Sequence, residues 1–307
     1  MKAVVYDTFG GVEQLHVVER PLPKVGPGEV LVEVRSAGVN PVDWKLMSGG
    51  LDGLMTFVFP VTPGWDVAGV VSAVGIDVPE FAVGDEVIGY VRKDFVSGGT
   101  YAEYVSAPVR TLARKPASLD WDAAAGLPLA GLTAYQVLRR LGVASGQTVL
   151  IHGGAGGVGQ VGVQLARCAG ARVLATASVA NHDLLRALGA EPLPYGDALA
   201  ARVRALAPDG VHVVADFTGG VREVTTAVLA PGGRHASIAD RSVIEVGGSW
   251  MWVRPDAADL THLAGLVDSE DLAIRVARSF DLADVADAIR LSQGGHAPGK
   301  IVLRVSR

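Results

Sequence analysis

The residues with the plainest chemical meaning form a glycine-rich run, Gly153-Gly154-Ala155-Gly156-Gly157-Val158-Gly159, placed between the apolar stretch Thr148–His152 and a helical stripe of Val161, Leu165 and Ala166. Gly154, Gly156 and Gly159 fill a GxGxxG template. Such a loop, entered from a strand and left by a helix, turns unpaired N–H groups toward an anion. Its glycines permit a tight turn and close approach of a pyrophosphate. A glycine run alone can be only a turn. Its position between a strand and a helix makes Gly154, Ala155, Gly156, Gly157, Val158 and Gly159 the candidate dinucleotide cradle.

About twenty residues further on, at the end of the next strand, an NAD site usually places Asp or Glu on the ribose 2′-hydroxyl. This chain offers Ala175, Thr176, Ala177 and Ser178 there. No carboxylate repels a 2′-phosphate, and Ser178, Asn181 and His182 could donate to one, so NADPH is expected over NADH. His182 is the only potential cation in that loop, with a solvated first-turn residue as its other reading.

The elements that must position these residues fall into two textures. The first 115 or so residues are punctuated by Pro and Gly around short β-branched runs, Val30–Val34, Val67–Val74 and Val83–Ile88, which predicts an irregular β unit. From Leu119 onward, helical spacing over Ala123–Leu141 gives way to apolar strands at Thr148–His152, Arg172–Thr176, Val211–Asp216 and Arg234–Ile238. That alternation predicts a parallel α/β sheet. Asn181 stands as an N-cap, Leu184, Leu185 and Leu188 form one face, and Gly189 occupies the C′ position. Near the end, Leu260–Val267 and Val285–Leu291 read as helices, and Ile274–Phe280 and Ile301–Val305 as strands.

Composition bounds the function. A chain of 307 residues, 49% hydrophobic and 19% charged, can bury a large core and divides naturally into two domains. A formal charge of −5 without single-sign blocks speaks against nucleic acid or an anionic membrane as partner. The uncharged run Ser145–Ala166 holds seven glycines and reads as strand, loop and helix rather than a membrane span. The N-terminus reads as a strand from Met1 to Tyr6, without the pattern of a secretion signal. The one cysteine, Cys168, permits no intramolecular disulfide and lacks an adjacent His or Lys, so it reads as a packed residue in a cytoplasmic protein. The seven histidines show no metal-binding spacing.

Seven segments in order resemble the zinc-independent medium-chain dehydrogenase/reductases of quinone oxidoreductase type. They are Ala37–Asp43, Pro63–Gly69, Val83–Val87, Gly99–Tyr104, Gly131–Tyr135, the glycine loop and Gly299–Leu303. The resemblance covers essentially the whole chain. It implies an α/β fold, with a GroES-like β domain at residues 1–117 and 270–307 for the substrate and an inserted, doubly wound parallel Rossmann domain at 118–269 for NADPH. A cleft between them would hold the nicotinamide, and a homodimer would form through the last Rossmann strand, read as Val246–Val253. In zinc-dependent relatives a Cys would stand at Asn40 and a His at Trp65. An amide and an indole cannot replace thiolate and imidazole, so no metal is expected. The acceptor should already be polarised, as in a quinone or an α,β-unsaturated carbonyl.

The resemblance also nominates individual residues, and several keep two readings. Asn40 would lie beside the nicotinamide ribose and substrate, or make an Asx-type turn before Pro41. Asp43 would orient the loop or deliver a proton, or cap a helix. Tyr90 and Tyr101 are the nearest approach to a proton donor in the β domain, against a packing role. Thr133 matches a position reaching the nicotinamide end, and Tyr195 one beside the adenosine phosphate. Lys300 would approach the cofactor or sit in a solvated turn, and Trp250 and Trp252 would shape an acceptor pocket or a dimer contact. The expected activity is NADPH-dependent reduction of quinones or enones. The alternatives are an enoyl-thioester or biosynthetic tailoring reductase and, in another class, a non-catalytic NADPH-binding regulatory protein.

Overall fold

The computed structural model describes residues 1–295 and 297–305. His296, one of the histidines scanned for metal spacing, lies outside them. Two compact units emerge, Met1–Leu132 with Pro255–Arg307, and Thr133–Arg254.

The first unit opens with β1 (Lys2–Val5), β2 (His16–Glu19) and β3 (Glu29–Val39), followed by α1 (Pro41–Met47). It continues through β4 (Thr56–Thr62), β5 (Asp66–Val74), β6 (Glu86–Tyr90), β7 (Phe95–Gly98), β8 (Tyr104–Pro108) and β9 (Leu112–Arg114) to α2 (Trp121–Gly126). Helix α3 (Pro128–Arg140) carries the chain across the boundary. The second unit holds β10 (Thr148–His152), α4 (Gly157–Cys168), β11 (Arg172–Thr176), α5 (His182–Ala187), β12 (Glu191–Leu193), α6 (Leu199–Leu206), β13 (Val211–Asp216), α7 (Arg222–Val228), β14 (Leu229–Ser237) and β15 (Ser249–Trp250). The chain then returns to the first unit with α8 (Ala257–Asp268), β16 (Val276–Asp281), α9 (Val285–Gly294) and β17 (Lys300–Arg304).

The long strand β3 organises the first unit. Its sheet runs β16-β17-β3-β5-β6-β9, with β8 also pairing with β3. Strand β17, more than 260 residues away in sequence, lies antiparallel to β3 with Ile301 opposite Val39. This pairing brings the Gly-Lys end of the chain to Asn40, the residue after β3. Asp122 on α2 fastens the same region, accepting hydrogen bonds from Ser36, Ser279 and Arg304. This unit also takes in 118–132 and 255–269, which the expected boundaries placed with the Rossmann domain. The continuous helix expected over Ala123–Leu141 is broken at Leu127, where Pro128 starts a new helix.

The second unit is a parallel sheet in the order β12-β11-β10-β13-β14-β15. Numbered within the unit this is 3-2-1-4-5-6, the Rossmann order, in which the chain's progress across the sheet reverses between β10 and β13 while every strand stays parallel. Leu150, Leu174, Val211 and Val214 of its strands are buried in one core cluster with Val203 of α6 and Val228 of α7. The strand read at Val246–Val253 is only two residues long, because Arg241–Val246 turns as a 3-10 helix that ends at Gly247 with φ +81°. Among the described residues, no helix is long and apolar enough to cross a membrane.

Candidate functional site

In the second unit the glycine loop leaves β10 at the switch point. Gly153 takes φ +74° and its N–H donates to Thr176 Oγ1 at 3.1 Å, while Gly154 N–H donates to Thr176 O at 2.9 Å. The loop is thus tied to the end of β11. Gly156 is the N-cap of α4, a helix of twelve residues. The three template glycines differ in what they permit. A Cβ on Gly159 would collide with Gly153 O and stand 2.7 Å from Gly154 Cα, and one on Gly154 would stand 2.8 Å from Ala175 Cβ. At Gly156 it would meet only Gly153 O, at 3.4 Å. Gly154 and Gly159 therefore let helix, loop and strand close on one another, and Gly156 leaves open space beside the helix N-terminus. That space fits a pyrophosphate.

At the end of β11, Ala177 N–H donates to Leu193 O at 3.1 Å, so the exits of β11 and β12 lie side by side. Asn181 precedes α5 as expected, yet its side chain makes no cap; its amide donates instead to Ser178 Oγ at 3.1 Å. The His182 ring is half-buried, and its Nε2 has no hydrogen-bond partner among the described residues. Tyr195 is 65% exposed just beyond β12. Thr133 is buried in α3.

The first unit contains a buried polar cluster around Asn40. β3 ends there because Pro41 begins α1, and the Asn40 backbone N–H donates to Asp43 Oδ2 at 2.8 Å, closing the helix start. The Asn40 amide is held at both ends. Its Nδ2 donates to Asp66 Oδ2 at 2.8 Å, and its Oδ1 accepts from Lys300 Nζ through a short hydrogen bond. Lys300 Nζ also donates to Val39 O at 3.3 Å and lies 3.6 Å from Asp66 Oδ2. Asp66 Oδ1 accepts from Leu129 N–H at 2.8 Å in the first turn of α3.

Asp43 Oδ2 takes a second hydrogen bond from the Tyr101 hydroxyl at 2.7 Å, while Oδ1 has no partner among the described residues. The Tyr101 ring lies against Gly64, whose φ of +87° and missing Cβ make room for it. Burial pushes the Asp43 carboxyl up to about 7, against the opposing bonds from Tyr101 and the Asn40 N–H. Burial also raises Asp66, opposed by the Lys300 charge, and lowers the Lys300 ammonium, opposed by Asp66.

These placements sort the alternatives. Asp43 is the helix-closing carboxylate and also the partner of Tyr101. Lys300 is neither in a solvated turn nor free to reach outward, because its ammonium is committed to Asn40 and Val39. Tyr90 packs edge-on against Trp65 with ring centroids 5.9 Å apart, and burial raises its hydroxyl far above the ordinary range. Such a phenol is a poor proton donor. Cys168, read as packed, is exposed. Two residues carried no role in the sequence: Asp66 in the Asn40 cluster, which stood inside the Pro63–Gly69 segment, and, in the second unit, Arg202, which is half-buried on α6. Arg202 donates to Pro194 O at 3.1 Å and to Tyr195 O at 3.4 Å.

A zinc ion does not suit the Asn40 position. A divalent cation at Asn40 Oδ1 would meet the Lys300 ammonium already bound there. Among the described residues, no three His, Cys, Asp or Glu side chains gather as a metal site.

A GroES-like β unit with an inserted Rossmann unit and an open glycine cradle defines a two-domain oxidoreductase. Residues 26–117 match the alcohol dehydrogenase GroES-like domain, and residues 188–303 match the family described as zinc-binding dehydrogenase. The chain is 34% identical to an NADPH-dependent alkenal/one oxidoreductase of Arabidopsis thaliana, over 99% of this chain and 79% of that protein. The solved quinone oxidoreductase of Coxiella burnetii superposes with a TM-score of 0.89 at 34% identity, covering 100% of this chain and 99% of that one. A mycobacterial protein solved with NADPH superposes at 0.87, with 29% identity over 99% of this chain and 100% of that one. The chain belongs to the medium-chain dehydrogenase/reductase family of oxidoreductases, in its quinone oxidoreductase-like branch.

Proposed function

We propose that this protein is an NADPH-dependent, zinc-independent reductase that delivers hydride to quinones or α,β-unsaturated carbonyl compounds. The observation that carries the reading is the open space at Gly156, beside the N-terminus of α4, next to a β11 exit that ends in Ser178 rather than a carboxylate. Gly154 to Gly159 would hold the pyrophosphate, and Ser178, Asn181, His182 and Tyr195 the phosphorylated ribose. Thr133 would serve the nicotinamide end. When bound, the reduced nicotinamide supplies a hydride for an electron-poor carbon.

In the first unit, Lys300 and Asp66 fix which way the Asn40 amide faces. Asn40 Oδ1 is taken by Lys300, so the second Nδ2 hydrogen remains as the group it can offer a ribose or an acceptor oxygen. Asp43 can hold a proton at its carboxyl near neutral pH. Tyr90 is assigned to packing. The donor set around Asn40 supports zinc independence, since an ammonium stands at the amide oxygen.

The outer edge of β15 pairs with no strand among the described residues, and its Trp250 and the following Met251 and Trp252 are half-exposed, which supports a homodimer contact there. A lone cysteine is consistent with a cytoplasmic location. The test is the initial rate of cofactor oxidation by metal-chelated protein with a soluble ortho-quinone and, separately, an enone. Turnover that favours NADPH over NADH supports the reading. Turnover of enoyl thioesters alone would replace the acceptor class, and cofactor binding without turnover on any acceptor would replace the activity.

A further inference from the structure

We propose that Arg202, on α6, is the cation that selects NADPH through its 2′-phosphate, a proposal that rests on the cofactor reading above. Strands β11 and β12 are parallel neighbours, with Thr176 opposite Leu193 and Ala177 N–H on Leu193 O at 3.1 Å. Ala177 and Pro194 therefore leave the sheet side by side, about 5 Å apart by strand spacing, with Ser178 and Tyr195 next along their chains. The Arg202 guanidinium lies on this second exit, donating from one terminal nitrogen to Pro194 O at 3.1 Å and Tyr195 O at 3.4 Å. Its Nε is buried with no hydrogen-bond partner among the described residues.

Neighbouring groups suit an anion. Asn181 donates to Ser178 Oγ, so the Ser178 hydroxyl keeps its own hydrogen to give. His182 Nε2 is likewise buried without a partner. Asp183, the acidic residue of the first turn of α5, is engaged by Arg186 at 2.6 Å. A doubly charged phosphate monoester between the two exits would meet a fixed guanidinium, a free hydroxyl and the Tyr195 edge. Arginine suits this role because its planar fork keeps donors to spare after binding the two carbonyls.

The test is titration of NADPH, NADH and 2′,5′-ADP into wild-type, Arg202→Leu and Arg202→Lys proteins, read by nucleotide fluorescence or calorimetry without an acceptor. Expected for Arg202→Leu is a loss of roughly ten- to a hundredfold in affinity for NADPH and 2′,5′-ADP, the worth of a hydrogen bond to a charged group, with NADH affinity unchanged. Arg202→Lys should recover part of that loss and keeps the test open should the leucine variant fail to fold. Equal losses for NADPH and NADH would overturn the proposal, because they mark a role in holding the Pro194–Tyr195 turn. Unchanged NADPH affinity would overturn it while leaving the cofactor reading intact. A wild-type protein with no preference for NADPH would overturn both.

Discussion

Replacing Lys300 by Met removes the ammonium in contact with the Asn40 amide and Asp66 while keeping the length and apolar stem of the side chain. Lys300 and Asp66 are 5% and 0% exposed, so the carboxylate left behind cannot be rescued by water. Removing one partner of such a buried pair costs about 3–5 kcal/mol. For a unit of this size that corresponds to roughly 6–20 °C in melting temperature. The loss should shrink at low pH, where Asp66 can take a proton. The double variant Lys300→Met/Asp66→Asn should be more stable than the single one. With the ammonium gone, the Asn40 amide is free to turn over and pair with Asn at 66. Thermal unfolding followed by circular dichroism at pH 7 reads all three proteins. A single variant within about 1 kcal/mol of wild type, or a double variant no more stable than the single, would refute the buried-pair argument.

Two further predictions concern protons and glycines. The folded-state value of Asp43, about 7, lies above its ordinary 3.8, so the folded protein keeps a proton that the unfolded chain releases between these values. Its contribution makes stability fall as pH rises through that window, on the order of 2–4 kcal/mol in all. Asp43→Asn keeps an acceptor for Tyr101 and the Asn40 N–H and should flatten that decline in urea midpoints between pH 4 and 8; parallel curves for the two proteins would refute the assignment. At the loop, Gly156→Val should fold with a near-native melting temperature and lose NADPH binding. Gly159→Ala should instead unfold at lower temperature, by about 1–3 kcal/mol, because its methyl meets Gly153 O and Gly154 Cα. The opposite pattern in melting and cofactor titration would contradict the roles given to these glycines.

Much of the second unit was readable because its signals are local. β10, β11 and β13 fall where their apolar runs were drawn, and the glycine loop lies between a strand and a helix as its spacing requires. The three-residue β12 left no such run, so the strand exit carrying Tyr195 and the helix presenting Arg202 could not be aligned with Ser178. Arg202 looks like one more charge on a solvated helix until that pairing is known. The Asn40 cluster was half legible: Asn40 and Asp43 stand three apart at a helix start. Their other partners lie 26 residues away at Asp66, 58 residues beyond Asp43 at Tyr101, and 260 away at Lys300. Only the pairing of β17 with β3 brings the last of these to Asn40. The first domain boundary followed the change of texture near Leu119, whereas the Asp122 hydrogen bonds bind α2 to the β unit.

The most direct measurement of the central claim follows the hydride itself. Metal-chelated protein would be incubated with an enone and NADPH carrying deuterium at the transferable C4 position, and the product examined by mass spectrometry and NMR. The account predicts one deuterium on the carbon of the former double bond distal to the carbonyl, at a rate indifferent to added zinc. Reduction that leaves deuterium out of the product, or that begins only when zinc is restored, would contradict it.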